Sequence, residues 1–428
     1  MPSMKKKIHF IGIGGIGMSA LARYFLSEDD VVTGSELVKS EITDGLEKAG
    51  VLITKKIKDV DLVVYSNAIR DNNSELKKAR KLGIKCITYP EALGELTKKY
   101  FTIAISGTHG KSTTSAMTAL ILIKNGLDPT VIIGTKLKEF NDSNFRKGKS
   151  NYLVIEADEY KEAFLNYNPD IIVLTNIEAD HLDYYKNIDN ILNAFEKYTK
   201  RLSKGGTIIA NKDDSNILRL LKNKKFKSFS LKNKDAKEVS SVLKVPGEYN
   251  VSNALAALEV AKTLKIKKLD AIKALSEYHG SWRRFEIFKT KDLIIISDYA
   301  HHPTAFLKTL IATREKFKNK KITCIFQPHQ YHRTYSFFNE FVNVFRVAPV
   351  DQLIISKIYD VAGREDKKSK ANVNSAKLAK AVNNPRVVSM EKFEDIKKYV
   401  YDNCKKGEVV VVMGAGDIYN LFSDLTKK

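Results

Sequence analysis

An apolar run at 101–105 that passes without interruption into Ser106-Gly107-Thr108-His109-Gly110-Lys111-Ser112-Thr113 constrains this 428-residue chain more than any other feature. A β-branched run that ends in a glycine turn and restarts at helical spacing requires a strand, a tight loop and a helix in succession. That is the unit from which parallel α/β sheets are built. The loop also carries chemistry: N–H groups at a helix N-terminus attract phosphate, Lys111 brings a cation to the β/γ-phosphates, and the Ser112 or Thr113 hydroxyl can ligate Mg²⁺. The common phosphate loop has glycine where this chain has Ile105, so the motif is a compact Gly-Thr-x-Gly-Lys variant. A chance Gly-Lys-Ser turn would lack the flanking strand and helix.

A related corner opens the chain, where residues 8–13 run into Gly12-Ile13-Gly14-Gly15-Ile16-Gly17, a helix is predicted over 18–26, and Glu36 closes the next strand. Taken alone this is a dinucleotide fingerprint: the glycines admit a pyrophosphate, the helix N-terminus favours its charge, and the acid bonds a ribose hydroxyl. A glycine turn that only packs helix on strand has the same pattern.

Short β-branched runs at 31–33, 60–65, 152–155, 171–175, 207–210, 293–297, 322–326, 352–355, 386–389 and 409–413 alternate with amphipathic stretches at 44–49, 75–82 and 251–264. The alternation predicts an α/β fold of three domains with mostly parallel sheets. These are an N-terminal Rossmann-like domain over 1–98, a central phosphate-loop ATPase domain over 99–282 and a C-terminal Rossmann-like domain over 283–428. With 43% hydrophobic and 29% charged residues the chain has the composition of a folded globular protein, not a disordered one.

Cys86, Cys324 and Cys404 lie far apart and outside any CxxC pair, which argues against a disulfide framework or zinc site. The basic residues 1–7 precede an apolar run broken by His9 and glycines, with no small-residue cleavage site. It reads as a strand and turn, not a signal peptide. No apolar window is long enough to span a bilayer, so a cytoplasmic location is expected. The net charge of +22 comes mostly from scattered lysines, as at 222–227 and 316–321, without interleaved aromatics. Solvated faces explain it better than a nucleic-acid surface, and a general attraction for anionic substrates remains.

Two acidic clusters follow strands, Glu156-Ala157-Asp158-Glu159 and Glu178-Ala179-Asp180-His181-Leu182-Asp183. Carboxyl ends of parallel strands form the binding crevice, so Glu156, with Ser112, is a candidate ligand for Mg²⁺ or Mn²⁺ beside ATP phosphates, and His181 is a further candidate ligand or a contact to the transferring phosphoryl. Glu159 and Asp183 read equally well as surface charges.

Several segments together are more specific: Ile11-Gly-Ile-Gly-Gly-Ile-Gly-Met18, Gly107-Thr-His-Gly-Lys-Ser-Thr113, Glu156-Ala-Asp-Glu159, Thr175-Asn-Ile-Glu-Ala-Asp-His181, Asn250-Val-Ser-Asn253, Arg283-Arg-Phe-Glu286, Asp298-Tyr-Ala-His-His-Pro303, Phe326-Gln-Pro-His329 and Gly414-Ala-Gly-Asp-Ile418. In this order, over nearly the whole chain, they resemble the signatures of the Mur ligase family. The resemblance implies that the first domain holds UDP and not NAD, the central domain binds ATP, and the last brings an amino acid.

Carried over residue by residue, it implies UDP-sugar binding by Gly14, Gly15, Ile16, Gly17, Met18, Ser35, Glu36, Asn67 and Ala68. It implies ATP binding by Gly107, Thr108, His109, Gly110, Lys111, Ser112, Thr113, Asn250, Asn253, Arg284 and Asp298, with Tyr299, His301, His329 and Arg333 lining the amino-acid pocket. Lys111, Glu156, His181, Arg284, Asp298 and His301 are the expected catalytic set. His301 is a candidate base for the incoming amine, and a binding or packing role fits it equally.

Departures from the family pattern are Tyr249 where many relatives have His, Tyr89 near a common arginine, and Gln330 where some relatives have arginine. No lysine stands out as a carbamylated metal bridge. The implied activity is ATP-dependent ligation of L-alanine to the carboxylate of UDP-N-acetylmuramate, by a monomer or homodimer without membrane or nucleic-acid partners. The rivals are ligation of a recovered tripeptide, an NAD-dependent oxidoreductase that leaves the second glycine loop unexplained, and a non-catalytic nucleotide- or nucleic-acid-binding protein.

Overall fold

The computed structural model describes residues 5–361 and 367–427; residues 1–4 of the basic start lie outside them. Among the described residues the strands form three sheets in a three-domain α/β architecture. The first joins Lys7–Ile11 (β1), Val31–Ser35 (β2), Leu52–Ile53 (β3), Leu62–Tyr65 (β4) and Lys85–Thr88 (β5) in the order β3-β2-β1-β4-β5, parallel throughout.

The second joins Phe101–Ser106 (β6), Thr130–Leu137 (β7), Ser143–Arg146 (β8), Tyr152–Glu156 (β9), Ile171–Leu174 (β10), Thr207–Asn211 (β11) and Lys227–Phe229 (β12). Its order is β12-β11-β10-β6-β9-β7-β8, parallel except for the β7–β8 hairpin. The third joins Glu286–Lys289 (β13), Ile294–Asp298 (β14), Ile322–Phe326 (β15), Gln352–Ile355 (β16), Val387–Ser389 (β17) and Val409–Met413 (β18) in the order β13-β14-β18-β15-β16-β17. Here too the expected parallel sheet carries one antiparallel strand, β13 at the edge.

Interior strands read as unbroken apolar runs because helices cover both faces. β10, β15 and β18 are buried along their whole length. In the third sheet alternate residues serve opposite cores. Ile296, Phe326 and Val411 join Phe306, Phe341 and Phe345 on one face, while Ile295, Ile325 and Val410 join Ile396, Leu421 and Phe422 on the other.

The chain divides into two compact units. One holds the first two sheets with Ile188–Val242 and Ser252–Tyr278; the other holds Ala179–Asn187, Leu243–Val251 and the third sheet. Within the first, the β7–β8 hairpin lies against the Ile16–Ser27 helix. The buried Asn144 amide donates to Ile16 O and to Ser19 Oγ (2.9 Å), and the Phe145 ring meets Tyr24 edge-on. That helix begins two residues before the expected 18, because β1 stops at Ile11 and Gly12, at φ +80°, turns the chain early.

Candidate active site

The loop after β6 passes directly into the Lys111–Lys124 helix. Gly107 and Gly110 hold φ of +133° and +84°, and neither has room for a side chain. A Cβ would fall 2.2 Å from Thr175 Oγ1 at the first and 2.3 Å from Asn253 Oδ1 at the second. Asn176 closes the loop from β10: its side-chain oxygen accepts the His109 N–H (2.9 Å) and its carbonyl the Thr108 N–H (3.0 Å). Those two amides, expected to face phosphate, are therefore already paired. The donors without an intrahelical acceptor are those at the start of the helix, around Lys111, Ser112 and Thr113. The His109 ring stands 3.6 Å from a Glu178 carboxylate oxygen.

Lys111 Nζ donates to Gly107 O (2.6 Å) and to Glu159 Oε2 (2.7 Å), with Asp158 4.0 Å away. Burial disfavours its charge, but the Glu159 and Asp158 carboxylates prevail and hold the ammonium above the ordinary lysine value. Glu159, read from sequence as a possible surface charge, is 3% exposed and is the internal partner of this lysine. The turn behind it explains the placement: Lys161 and Glu162 both adopt left-handed backbone, folding the chain back after β9. Ser112 Oγ donates to Glu156 Oε2 at 2.9 Å, and the other Glu156 oxygen accepts the Gly134 N–H from β7. A carboxylate and a hydroxyl at the mouth of a phosphate loop form the hard oxygen set that Mg²⁺ prefers.

At the first corner Gly14 N–H donates to Glu36 Oε2 (2.8 Å), and Gly12 and Ile13 N–H donate to Ser35 O at 2.9 and 3.0 Å. A Cβ on Gly17 would meet the Tyr89 ring at 2.8 Å. Asn67 and Ala68 follow β4, the other neighbour of β1, so they stand at the switch point where strand order reverses. Met18 and Ser35 are buried, which makes them shapers of that crevice rather than its lining.

The second unit carries His181, Asn250, Arg284, Asp298, Tyr299, His301, His329 and Arg333. Asp298 ends β14, where its carboxylate accepts the Phe285 and Ala300 N–H groups, each at 2.8 Å. Burial raises its pKa, and these bonds and Arg284 oppose that. The Arg284 guanidinium lies 4.7 Å from the Tyr299 ring centroid. His301 Nδ1 sits 2.9 Å from Tyr299 O; a carbonyl only accepts, so Nδ1 carries the hydrogen and Nε2 is the basic nitrogen. Burial, with Arg333 and His329 nearby, pushes His301 well below the ordinary histidine value. It is neutral at pH 7, as a base must be.

Arg333 is more committed than its expected role suggests. Nε and Nη2 reach Asp180 Oδ1 at 3.1 and 3.0 Å, while Nη1 lies 3.2 Å from both Gln330 Oε1 and His329 Nδ1. Burial works against the Asp180 charge, yet Arg333 and the neighbouring histidines hold that carboxyl well below its usual range. Gln330 takes φ +72°, and its buried Nε2 finds no hydrogen-bond partner among the described residues. His181 has left-handed backbone, with its N–H on Asp180 Oδ1 (2.7 Å). Asn250 Nδ2 donates to Pro246 O at 2.7 Å.

Three family models match in succession: the Mur ligase catalytic domain over residues 7–101, the Mur ligase middle domain over 105–261 and the Mur ligase glutamate ligase domain over 283–416. The chain belongs to the Mur ligase family. Its Mur ligase relatives include a UDP-N-acetylmuramate–L-alanine ligase of Clostridium tetani, 42% identical over 445 residues and covering 97% of this chain and 96% of its own. One from Acetivibrio thermocellus is 40% identical, covering 98% of this chain and 95% of its own. Among solved Mur ligase structures, a UDP-N-acetylmuramate-alanine ligase from Thermotoga maritima matches with a TM-score of 0.81 at 27% identity, over 98% of each chain. A murein peptide ligase from Psychrobacter arcticus shares the fold, with a TM-score of 0.72 at 23% identity over 98% of each chain.

Sequence reasoning missed the structural roles of Asn176, Glu159 and Asp180. Only the position of Glu159 three residues beyond Glu156 at a strand end offered a signal. Asp180 meets a partner 153 residues away, which no local pattern encodes.

Proposed function

We propose that this enzyme ligates L-alanine to the carboxylate of UDP-N-acetylmuramate with cleavage of ATP to ADP and phosphate, in the synthesis of peptidoglycan precursors. The observation that carries the reading is the match, over nearly the full length, to UDP-N-acetylmuramate–L-alanine ligases at 42% identity. The Lys111, Ser112 and Glu156 arrangement gives it a physical basis.

A muramyl carboxylate oxygen attacks the γ-phosphorus and ADP leaves; the alanine amine then attacks the acyl carbon, and phosphate leaves as the amide forms. Lys111 and the first-turn amides neutralise charge on the transferring phosphoryl, and positioning does most of the remaining work. Ser112, Glu156 and His181 are the residues that would hold Mg²⁺ or Mn²⁺, which supplies charge neutralisation at the phosphates. His301 Nε2 receives the amine proton.

The UDP moiety belongs at 12–17 with Glu36, Asn67 and Ala68, in a crevice that the buried Met18 and Ser35 shape from behind. The nucleotide base belongs near Asn250 and Asn253, and Arg284 and Asp298 serve ATP. Tyr299, His301, His329 and Arg333 are assigned to alanine. Arg333 remains the cation for the alanine carboxylate, which it takes in exchange for Asp180, and the open Gln330 amide offers a neutral donor beside it. We infer domain boundaries near 98 and 282 and a cytoplasmic setting. Among the described residues no helix is long and apolar enough to cross a membrane.

The test is release of ADP and phosphate, measured with UDP-N-acetylmuramate and ATP, with and without single amino acids or a tripeptide. Turnover with tripeptide alone, or turnover without the UDP-sugar, would overturn the assignment.

A further inference from the structure

Two of the segments that mark the chain, Arg283-Arg-Phe-Glu286 and Gly414-Ala-Gly-Asp-Ile418, leave residues to which the reaction gives no task. In the structure they meet. Arg283 is 8% exposed, and its Nη2 donates to Gly414 O at 2.6 Å and to Gly416 O at 3.1 Å. Its guanidinium carbon lies 4.9 Å from the Tyr299 ring centroid, 5.1 Å from Tyr419 and 5.6 Å from Trp282. The acceptor turn is itself fixed: a Cβ on Gly414 would lie 2.8 Å from Gln327 O, and one on Gly416 2.4 Å from the Tyr359 ring.

The backbone of the same residue is equally occupied. Its carbonyl accepts the Tyr299 N–H (2.8 Å), and its N–H donates to Glu286 (3.2 Å). Arg283 and Phe285 both stand in the left-handed region, at φ +56° and +53°, one on each side of Arg284. Such backbone persists only where the surroundings over-determine it.

We propose that Arg283 is a positioning residue: by tying the strained 281–286 corner to the 414–416 turn and stacking among three aromatic rings, it fixes where Arg284 and Tyr299 stand. The proposal rests on the assignment of Arg284 to ATP and Tyr299 to alanine made above. One nitrogen, Nη2, makes both carbonyl bonds, which an ammonium could imitate, but lysine has no planar group to spread over the rings while that nitrogen is so engaged, so charge alone does not replace it.

The test is a double-mutant cycle with Arg283→Lys and Arg284→Ala, reading steady-state kinetics for ATP and alanine and equilibrium binding of UDP-N-acetylmuramate. Arg283→Lys is expected to lower kcat/KM for both ATP and alanine by about tenfold or more while UDP-sugar affinity stays within about twofold. In the Arg284→Ala background the same change should alter the ATP term by less than about twofold, because its effect runs through Arg284. Multiplying effects in the double variant would overturn the positioning role and leave the Arg284 assignment standing. Wild-type ATP kinetics in Arg284→Ala alone would remove that assignment and this inference with it. A lowered thermal midpoint with unchanged Michaelis constants would show an ordinary structural role. Should Arg283→Lys fail to fold, Tyr419→Leu, which removes one ring of the stack, enters the same cycle with the same expected and overturning results.

Discussion

The turn after β1 and the turn after β6 share a left-handed glycine, a close-packed backbone and a helix N-terminus, but they differ in what stands at the mouth. After β1 a carboxylate, Glu36, accepts the Gly14 N–H, and residues 12–18 bring no cation. After β6 the first helical residue is Lys111, and Ser112 beside it bonds Glu156. Both helix termini carry a partial positive charge. Only the second adds a full charge and hard oxygen ligands where phosphoryl transfer needs them, and an acid at the first suits a hydroxyl-bearing ligand that is held but not transformed. On the reading proposed above, similar backbone serves two tasks, and side chains on three or four positions decide which.

The comparison breaks or sharpens at those positions. Lys111→Ala should have the largest effect, lowering turnover by about 10³-fold or more while UDP-N-acetylmuramate binds as before. Calorimetric binding of the UDP-sugar decides this, and an equal loss of its affinity would erase the division between the corners. Glu156→Gln should reduce turnover by about 10²-fold and raise the Mg²⁺ concentration for half-maximal rate; a superimposable Mg²⁺ titration would remove Glu156 from the ion. Gly17→Ala drives a methyl onto the Tyr89 ring, and we expect the Kd for UDP-sugar to rise about tenfold with KM for ATP unchanged. A matching rise in the ATP constant would mean that the corners are not separate sites.

Glu159→Gln should be mildest, weakening the hold on Lys111 so that KM for ATP falls by about two- to threefold. A rise would instead show that Glu159 aims the lysine at the nucleotide.

The frame of both corners was legible in the sequence, because strand, glycine turn and helix are local and periodic. β6 and the helix at Lys111 fall where the apolar run and the Gly-Lys step put them, and β15, β16 and β18 match their runs. The β7–β8 hairpin was not legible. Its first strand is broken by Gly134, and it pairs antiparallel in a sheet whose other runs announce parallel order. Nor was the occupation of Arg333 by Asp180, of two loop amides by Asn176, or of Lys111 by Glu159. Each depends on residues that only the tertiary fold brings within 3.1 Å.

The β7–β8 hairpin also bears on how far the central sheet can be treated as a detachable cassette. β8 is an edge strand, and Asn144 and Phe145 on it are met by the Ile16–Ser27 helix of the preceding domain. A fragment cut near residue 98 would leave the Asn144 amide without its acceptors and bare a strand edge able to pair with other copies. Expressed alone, that fragment should aggregate, and a working truncation would have to carry the first helix along or cap the hairpin by redesign.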